Sequence, residues 1–170
     1  YWSHFLGRFA HAHYLLIFLT FTSPGRSLPT HPFLFAALHV LDFFFVTTEK
    51  SHTSFVEALC TEIRLRGALI ADKEPIDTIY FGGGTPSRLA PSDIGRIIET
   101  INDSFDARQV LETTFELNPE DASEAYLASL RAHGIDRLSV GIQSFFEDDL
   151  RFMNRVHDAD MARAIIPTIR

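Results

Sequence analysis

The chain has 170 residues, enough for one domain with a sizeable core or for part of a larger one, and carries a net charge of −7 with a pI near 5.5. That acidic balance argues against a nucleic-acid-binding surface. The lone cysteine, Cys60, excludes an internal disulfide framework and fits a reducing, cytoplasmic compartment.

Charge is unevenly placed along the chain. All 22 Asp and Glu residues fall at or after Asp42, and residues 1–41 hold only Arg8 and Arg26 as fixed cations, with five of the eight histidines. This segment shows neither a 3.6 nor a 2 period and is expected to be an atypical stretch, disordered or out of frame, set apart from a domain over 42–170. The apolar run "YLLIFLTF" from Tyr14 lacks a basic start and a cleavage site, and it is too short for the ~20 apolar residues of a membrane span.

From Asp42 onward the pattern is regular. Ser54 with Glu57 reads as a capping box opening a helix that carries Val56, Leu59, Ile63 and Ile70. The stretch "IDTIYFGGGTPSRL", Ile76 to Leu89, is a short buried strand running into three glycines. Ala90-Pro91-Ser92-Asp93 starts a helix, taken from Ser92, with Ile94, Ile97, Ile98, Ile101 and Phe105 on one face. Next come a strand around Val110 to Leu117, a helix from about Ala122 to His133 stopped by Gly134, a strand around Arg137 to Ile142 and a helix starting near Asp158. This alternation predicts an α/β fold with parallel strands, open or curled into a barrel.

Ligands of such folds lie beyond the carboxyl ends of the strands. Three polar groups fall there: Gly82-Gly83-Gly84-Thr85, Glu116-Leu117-Asn118-Pro119 and Gly141-Ile142-Gln143-Ser144. The glycines suit either a ligand cradle or a tight turn under a neighbour. They match neither the dinucleotide fingerprint nor a P-loop. A carboxylate in "TTFELNP" and an amide after "RLSVGI" are costly to bury without partners, so three successive strand ends favour one shared polar ligand.

Four ordered stretches, "IDTIYFGGGTPSRL", "FELNPE", "LRAHGIDRLSVGIQSF" and "NRVHDADMARAI", together resemble the radical S-adenosylmethionine proteins related to oxygen-independent coproporphyrinogen III oxidase, and within them the heme chaperone branch. The resemblance implies the amino-terminal part of a partial (β/α) barrel, with the later strands absent. It implies S-adenosylmethionine as cofactor, held at its methionine end by Gly83, Gly84 and Thr85, with polar contacts from Glu116 and Gln143 and a carboxylate pairing from Arg155. It also implies a [4Fe–4S] cluster, and heme or a porphyrinogen as partner. Without the motif, Arg155 would read as a surface ion pair with Asp158 or a nearby acid.

One departure from the family bears on activity. The three cluster cysteines, expected just before an Asp-Phe, fall on Leu34, Leu38 and Leu41, followed by Asp42-Phe43. Leucine has no lone pair for iron, so no metal ligands and no catalytic residues are assigned, and the chain is expected to be an inactive, truncated relative. Two origins are open. A choice of codons for Thr30 to Leu41 exists that, read one base on, gives His-Ile-Pro-Phe-Cys-Ser-Gln-Leu-Cys-Thr-Tyr and then the start of a third Cys codon, which points to a frameshift. The other origin is a true cluster-less relative. The alternative function is a non-catalytic βαβ module that binds a nucleotide-like ligand at the Gly-Gly-Gly-Thr-Pro loop.

Overall fold

The computed structural model describes residues 15–21, 33–35, 49–69 and 75–169, with side chains from Thr53 onward. Its elements in chain order are β1 (Leu15–Phe21), β2 (Phe33–Phe35), α1 (Glu49–Leu69), β3 (Ile76–Gly83), α2 (Pro91–Ser104), β4 (Glu112–Leu117), α3 (Glu124–Ala132), β5 (Arg137–Val140), α4 (Glu147–Phe152) and α5 (Ala159–Thr168). Single 3₁₀ turns at Pro86–Arg88 and Pro119–Asp121 follow β3 and β4.

The five strands form one sheet in the order β2-β1-β3-β4-β5. β3, β4 and β5 are parallel, with Tyr80 opposite Thr114 and Glu116 opposite Ser139. Each parallel step is bridged by a helix, α2 and then α3, because parallel neighbours need a crossover. Two further strands, not foreseen from the sequence, extend the sheet: β1 runs antiparallel to β3, and β2 antiparallel to β1. Thr20 faces Thr78 while Phe21 faces Ile76, so Asp77 is an extra residue that bulges β3. Leu34 lies in β2, whereas Leu38, Leu41 and Ile70 lie outside the described residues.

The helical spacing of isoleucines becomes a packed layer. Ile94, Ile97 and Ile101 of α2 are fully buried, as are Val56 and Cys60 of α1, and all five belong to one core cluster with the β3 and β4 side chains. Ile79, Phe81 and Phe115 come from one face of those strands, and the Phe81 and Phe115 rings meet at 5.6 Å between centroids in a tilted pair. The alternate positions, Tyr80, Glu112, Glu116 and Ser139, carry polar groups. The core therefore lies on one side of the sheet and the polar chemistry on the other.

Several boundaries differ from the sequence expectation. α1 begins at Glu49, so Ser54 and Glu57 lie inside it and do not form a capping box. Glu49 to Thr53 contain no Gly or Pro, and nothing in their chemistry stops the helix from extending upstream. α3 begins at Glu124 because the 3₁₀ turn occupies Pro119–Asp121 and Ser123 is the cap, its hydroxyl accepting the Tyr126 N–H at 3.3 Å. Gly134, at φ +85°, ends the helix α3 as expected. β5 ends at Val140, two residues early. α4 went unread: it is one and a half turns long, and Leu150 is its one buried residue, which leaves no apolar period to detect.

Candidate functional site at the carboxyl ends of the parallel strands

β3 ends in the glycine run, and each glycine there has its own environment. A Cβ on Gly82 would overlap Tyr80 Cε1 and stand 3.0 Å from Glu116 Oε1, so this glycine is required by a neighbouring side-chain pair. Gly83 takes φ +85°, a left-handed conformation open to glycine, and turns the chain out of the sheet. Gly84 is exposed at the rim, and Thr85 leads into the 3₁₀ turn, its carbonyl accepting the Arg88 N–H at 3.0 Å. The tight-turn reading thus describes Gly82, while Gly83 and Gly84 shape the open rim.

The pair beneath Gly82 is a 2.6 Å hydrogen bond from the Tyr80 hydroxyl to Glu116 Oε1. That bond, with burial and the Glu116 charge behind it, holds the Tyr80 phenol above its ordinary pKa. The bond is therefore intact through neutral pH and is lost only as pH rises past the usual phenol range. Lower on the same face, Glu112 accepts from the Thr114 hydroxyl at 2.8 Å and from Arg137 at 2.9 Å, which together hold its carboxyl below the usual range.

An Ala at position 82 tests this geometry. Gly82→Ala forces Tyr80 away from Glu116 and is expected to cost about 1–3 kcal/mol in urea denaturation. In a Tyr80→Ala background most of that cost should disappear, because the overlapping ring is gone. An equal penalty in both backgrounds would place the strain elsewhere.

A second cluster lies at the ends of β4 and β5. The position a Cβ would take on Gly141 is 3.3 Å from Asn118 Oδ1, 3.3 Å from Gln143 Nε2 and 3.8 Å from Arg155 Nη2, so these three groups meet around one glycine. Arg155 Nη2 donates to Asn118 Oδ1 at 3.1 Å and to the Gly141 carbonyl at 3.0 Å. Arg155 Nε is buried with no hydrogen-bond partner among the described residues. Asp158 is not its partner: the Asp158 carboxylate caps α5, accepting the Met161 N–H at 2.7 Å. Gln143 sits at φ +66°, a strained value for a residue with a side chain.

The rim loops are tied together. Asp121, after β4, accepts from the Ser87 hydroxyl at 2.6 Å, and the Tyr126 hydroxyl reaches the Leu89 carbonyl at 3.2 Å. Burial, aided by the Asp121 charge, pushes the Tyr126 phenol well up. The structure thus brings Gln143 and Arg155 together, joins Glu116 to Tyr80 beneath Gly82, and sets Gly83, Gly84 and Thr85 at the end of the adjoining strand. Tyr80 was not singled out from the sequence, His157 was seen only as part of the stretch Asn154-Arg155-Val156-His157 with no site role, and Asn118 only as part of its strand end. Tyr80 could have been found, since it alternates with the buried Ile79 and Phe81 on the strand's other face.

Residues 60–170 match the Radical SAM superfamily. The chain belongs to this superfamily. It is 31% identical over 128 residues to radical S-adenosyl methionine domain-containing protein 1, mitochondrial, of Danio rerio, covering 74% of this chain and 28% of that protein. It is 32% identical over 123 residues to the oxygen-independent coproporphyrinogen III oxidase of Salmonella typhimurium, covering 71% and 27%. The heme chaperone HemW of Mycobacterium tuberculosis is 35% identical over 107 residues, covering 63% and 27%. Among solved structures, coproporphyrinogen III oxidase (HemN) from Escherichia coli, a radical SAM enzyme, superposes with a TM-score of 0.65 at 29% identity, covering 74% of this chain and 29% of that one. The chain spans little more than a quarter of these relatives' length. The α/β fold with parallel β3, β4 and β5 is the one expected, and β1 and β2 add an antiparallel edge to it.

Two groups that the superfamily implies can be set against the residues present. S-adenosylmethionine, with an ammonium and a carboxylate at one end, fits a rim that offers a glycine turn, a Glu carboxylate, an amide and a buried, unpaired guanidinium N–H. A [4Fe–4S] cluster does not fit. Cys60 is the chain's one thiol and is buried in the core on α1, and among the described residues no three His, Cys, Asp or Glu side chains are grouped to share a metal ion. Among the described residues no helix is long and apolar enough to cross a membrane.

Proposed function

We infer that the rim binds S-adenosylmethionine and that the protein is related in role to the heme-biosynthetic and heme-delivering members of its superfamily, with heme or a porphyrinogen as its partner and the cytoplasm as its compartment. The observation that carries the cofactor reading is Arg155. Its Nη2 is spent on Asn118 and Gly141, which fixes the plane of the guanidinium, while its buried Nε–H is left for an acceptor. A single charged N–H held in this way donates to one oxygen of a ligand carboxylate.

Each residue has a definite part in such a site. Gly83 and Gly84 bring backbone close to the amino-acid end of the ligand, and the Thr85 hydroxyl, which makes no capping bond, is available to it. Glu116 keeps acceptor capacity beyond its bond from Tyr80 for an ammonium or hydroxyl donor, and Gln143 offers both a donor and an acceptor. When paired with a cluster, S-adenosylmethionine supplies radical chemistry by reductive cleavage. This chain lacks the thiolates for that cluster, so its own residues are assigned to binding and orientation, and it is not expected to cleave the cofactor.

Isothermal titration with S-adenosylmethionine tests the site. Binding by the intact chain is expected, and Arg155→Ala should weaken it by about ten- to a hundredfold, the ~1.5–3 kcal/mol of a hydrogen bond to a charged group. No binding would leave a structural fragment. Equal binding of adenosine nucleotides lacking the amino-acid end, with Arg155→Ala unaffected, would favour the non-catalytic nucleotide-binding module.

A further inference from the structure

The turn that carries Gln143 is held by a residue that does not itself belong to the rim. The Ile142 carbonyl accepts the Ser144 N–H at 2.8 Å, closing a three-residue turn whose central residue, Gln143, has φ +66°. A γ-turn with positive φ at its centre is the rare and strained form, and it persists only where the surroundings impose it. The same carbonyl is also met by His157 Nε2 at 3.0 Å, and His157 is buried at 1% exposure. A carbonyl only accepts, so Nε2 carries a proton. On the other side of the ring, Nδ1 faces Glu120 Oε2 at 3.2 Å, and a carboxylate likewise only accepts. The ring satisfies both partners when both nitrogens are protonated. With Nδ1 deprotonated, a lone pair is set against a carboxylate in a buried place.

The other charged groups nearby are committed elsewhere. Asp158 caps α5, Glu147 accepts the Ala159 N–H at 3.1 Å and pairs with Arg151, Asp121 takes the Ser87 hydroxyl and Arg88, and Arg155 holds Asn118 and Gly141. Among the described residues, Glu120 is the carboxylate in contact with the ring.

We propose that His157, clasped between Glu120 and the Ile142 carbonyl, is a positioning residue that holds the Gln143 turn, and with it the neighbouring Arg155, in the geometry that ligand binding at the rim requires. The consequence for binding rests on the cofactor-site reading above. The clasp itself does not.

Amide hydrogen exchange of residues 141–146 in the whole chain, corrected for intrinsic rates, reads the clasp with no ligand present. In His157→Ala, exchange of this segment is expected to be about tenfold faster than in the wild type. In His157→Gln the side-chain amide N–H donates to the Ile142 carbonyl in place of Nε2, so protection should be regained. Glu120→Ala, which removes the partner of Nδ1, should also speed exchange, and if His157→Ala does not fold, the comparison of wild type with Glu120→Ala decides alone. Exchange as slow in His157→Ala as in the wild type, or in Glu120→Ala where that variant decides, overturns the proposal.

Titration with S-adenosylmethionine separates the two readings. Affinity should fall about tenfold in His157→Ala and be restored in His157→Gln. No binding by the wild type, with exchange as expected, removes the cofactor site and leaves the clasp. Equal binding by the wild type and His157→Ala, with exchange unchanged, removes the clasp and leaves the cofactor site.

Discussion

Reconstituted anaerobically with iron and sulfide, this chain is expected to show no [4Fe–4S] absorbance, whereas a longer chain that carries the remaining barrel strands, translated with the frame shifted by one base over residues 30–41 and restored before Asp42, should bind the cluster. The reason is the donor set. Leu34, Leu38 and Leu41 occupy the ligand positions that the resemblance assigns, and three hydrocarbon side chains replace three thiolates. Cys60 does not substitute for them, being a single thiol buried in the core. The coding DNA across Thr30 to Asp42 provides the check that precedes any iron analysis. Codons that yield cysteine in no frame at those three positions would make this a true cluster-less relative, and a cluster at full occupancy on the chain as it stands would overturn the assignment.

Phe115→Ala is expected to be the most damaging single substitution in the described core. The ring is fully buried, stacks in a tilted pair with Phe81 at 5.6 Å, and belongs to the central parallel strand of the β3-β4-β5 unit. Removing it leaves a cavity between the sheet and the helices, at a typical cost of about 3–5 kcal/mol. A domain's whole stability is about 5–15 kcal/mol, so the variant should unfold at much lower urea or lose its cooperative transition. Phe115→Leu, which keeps most of the volume, should cost far less. A midpoint for Phe115→Ala within error of the wild type would mean that the sheet and helices do not pack as described.

The elements that sequence alone determined are those whose periodicity is long and whose partner layer is implied by it. The isoleucines of α2, the apolar face of β3 and the alternation of strand and helix from Ile76 to Thr168 all require the same two-layer arrangement, since each buries one face only. The rim was legible for a related reason: glycine, Glu and Gln at successive strand ends are poor choices for packing, which singles them out as polar groups in need of partners. The presence of Leu34, Leu38 and Leu41 where the resemblance expects thiolates is also a matter of sequence, because it depends on the chemistry of three side chains and not on where they lie.

Only the tertiary structure decided which neighbour each of those residues meets. Ser54 and Glu57 have the right spacing for a cap, yet the helix passes through them, because a helix start depends on what precedes it as well as on the cap. Gly82 looks like its neighbours in the sequence but answers to the Tyr80 ring and the Glu116 carboxylate, two side chains brought together across parallel strands. Arg155 and Asp158 suggest a local ion pair, and folding instead turns Arg155 toward Asn118 and Gly141 while Asp158 caps a helix. His157, Glu120 and Ile142 each lie in one of the quoted stretches, but nothing in those stretches pairs them with one another. Hydrogen bonds between loops separated by 15 to 37 residues have no periodic signature, since their geometry is set by the register of β4 against β5 and by the crossover that returns the chain to the same rim.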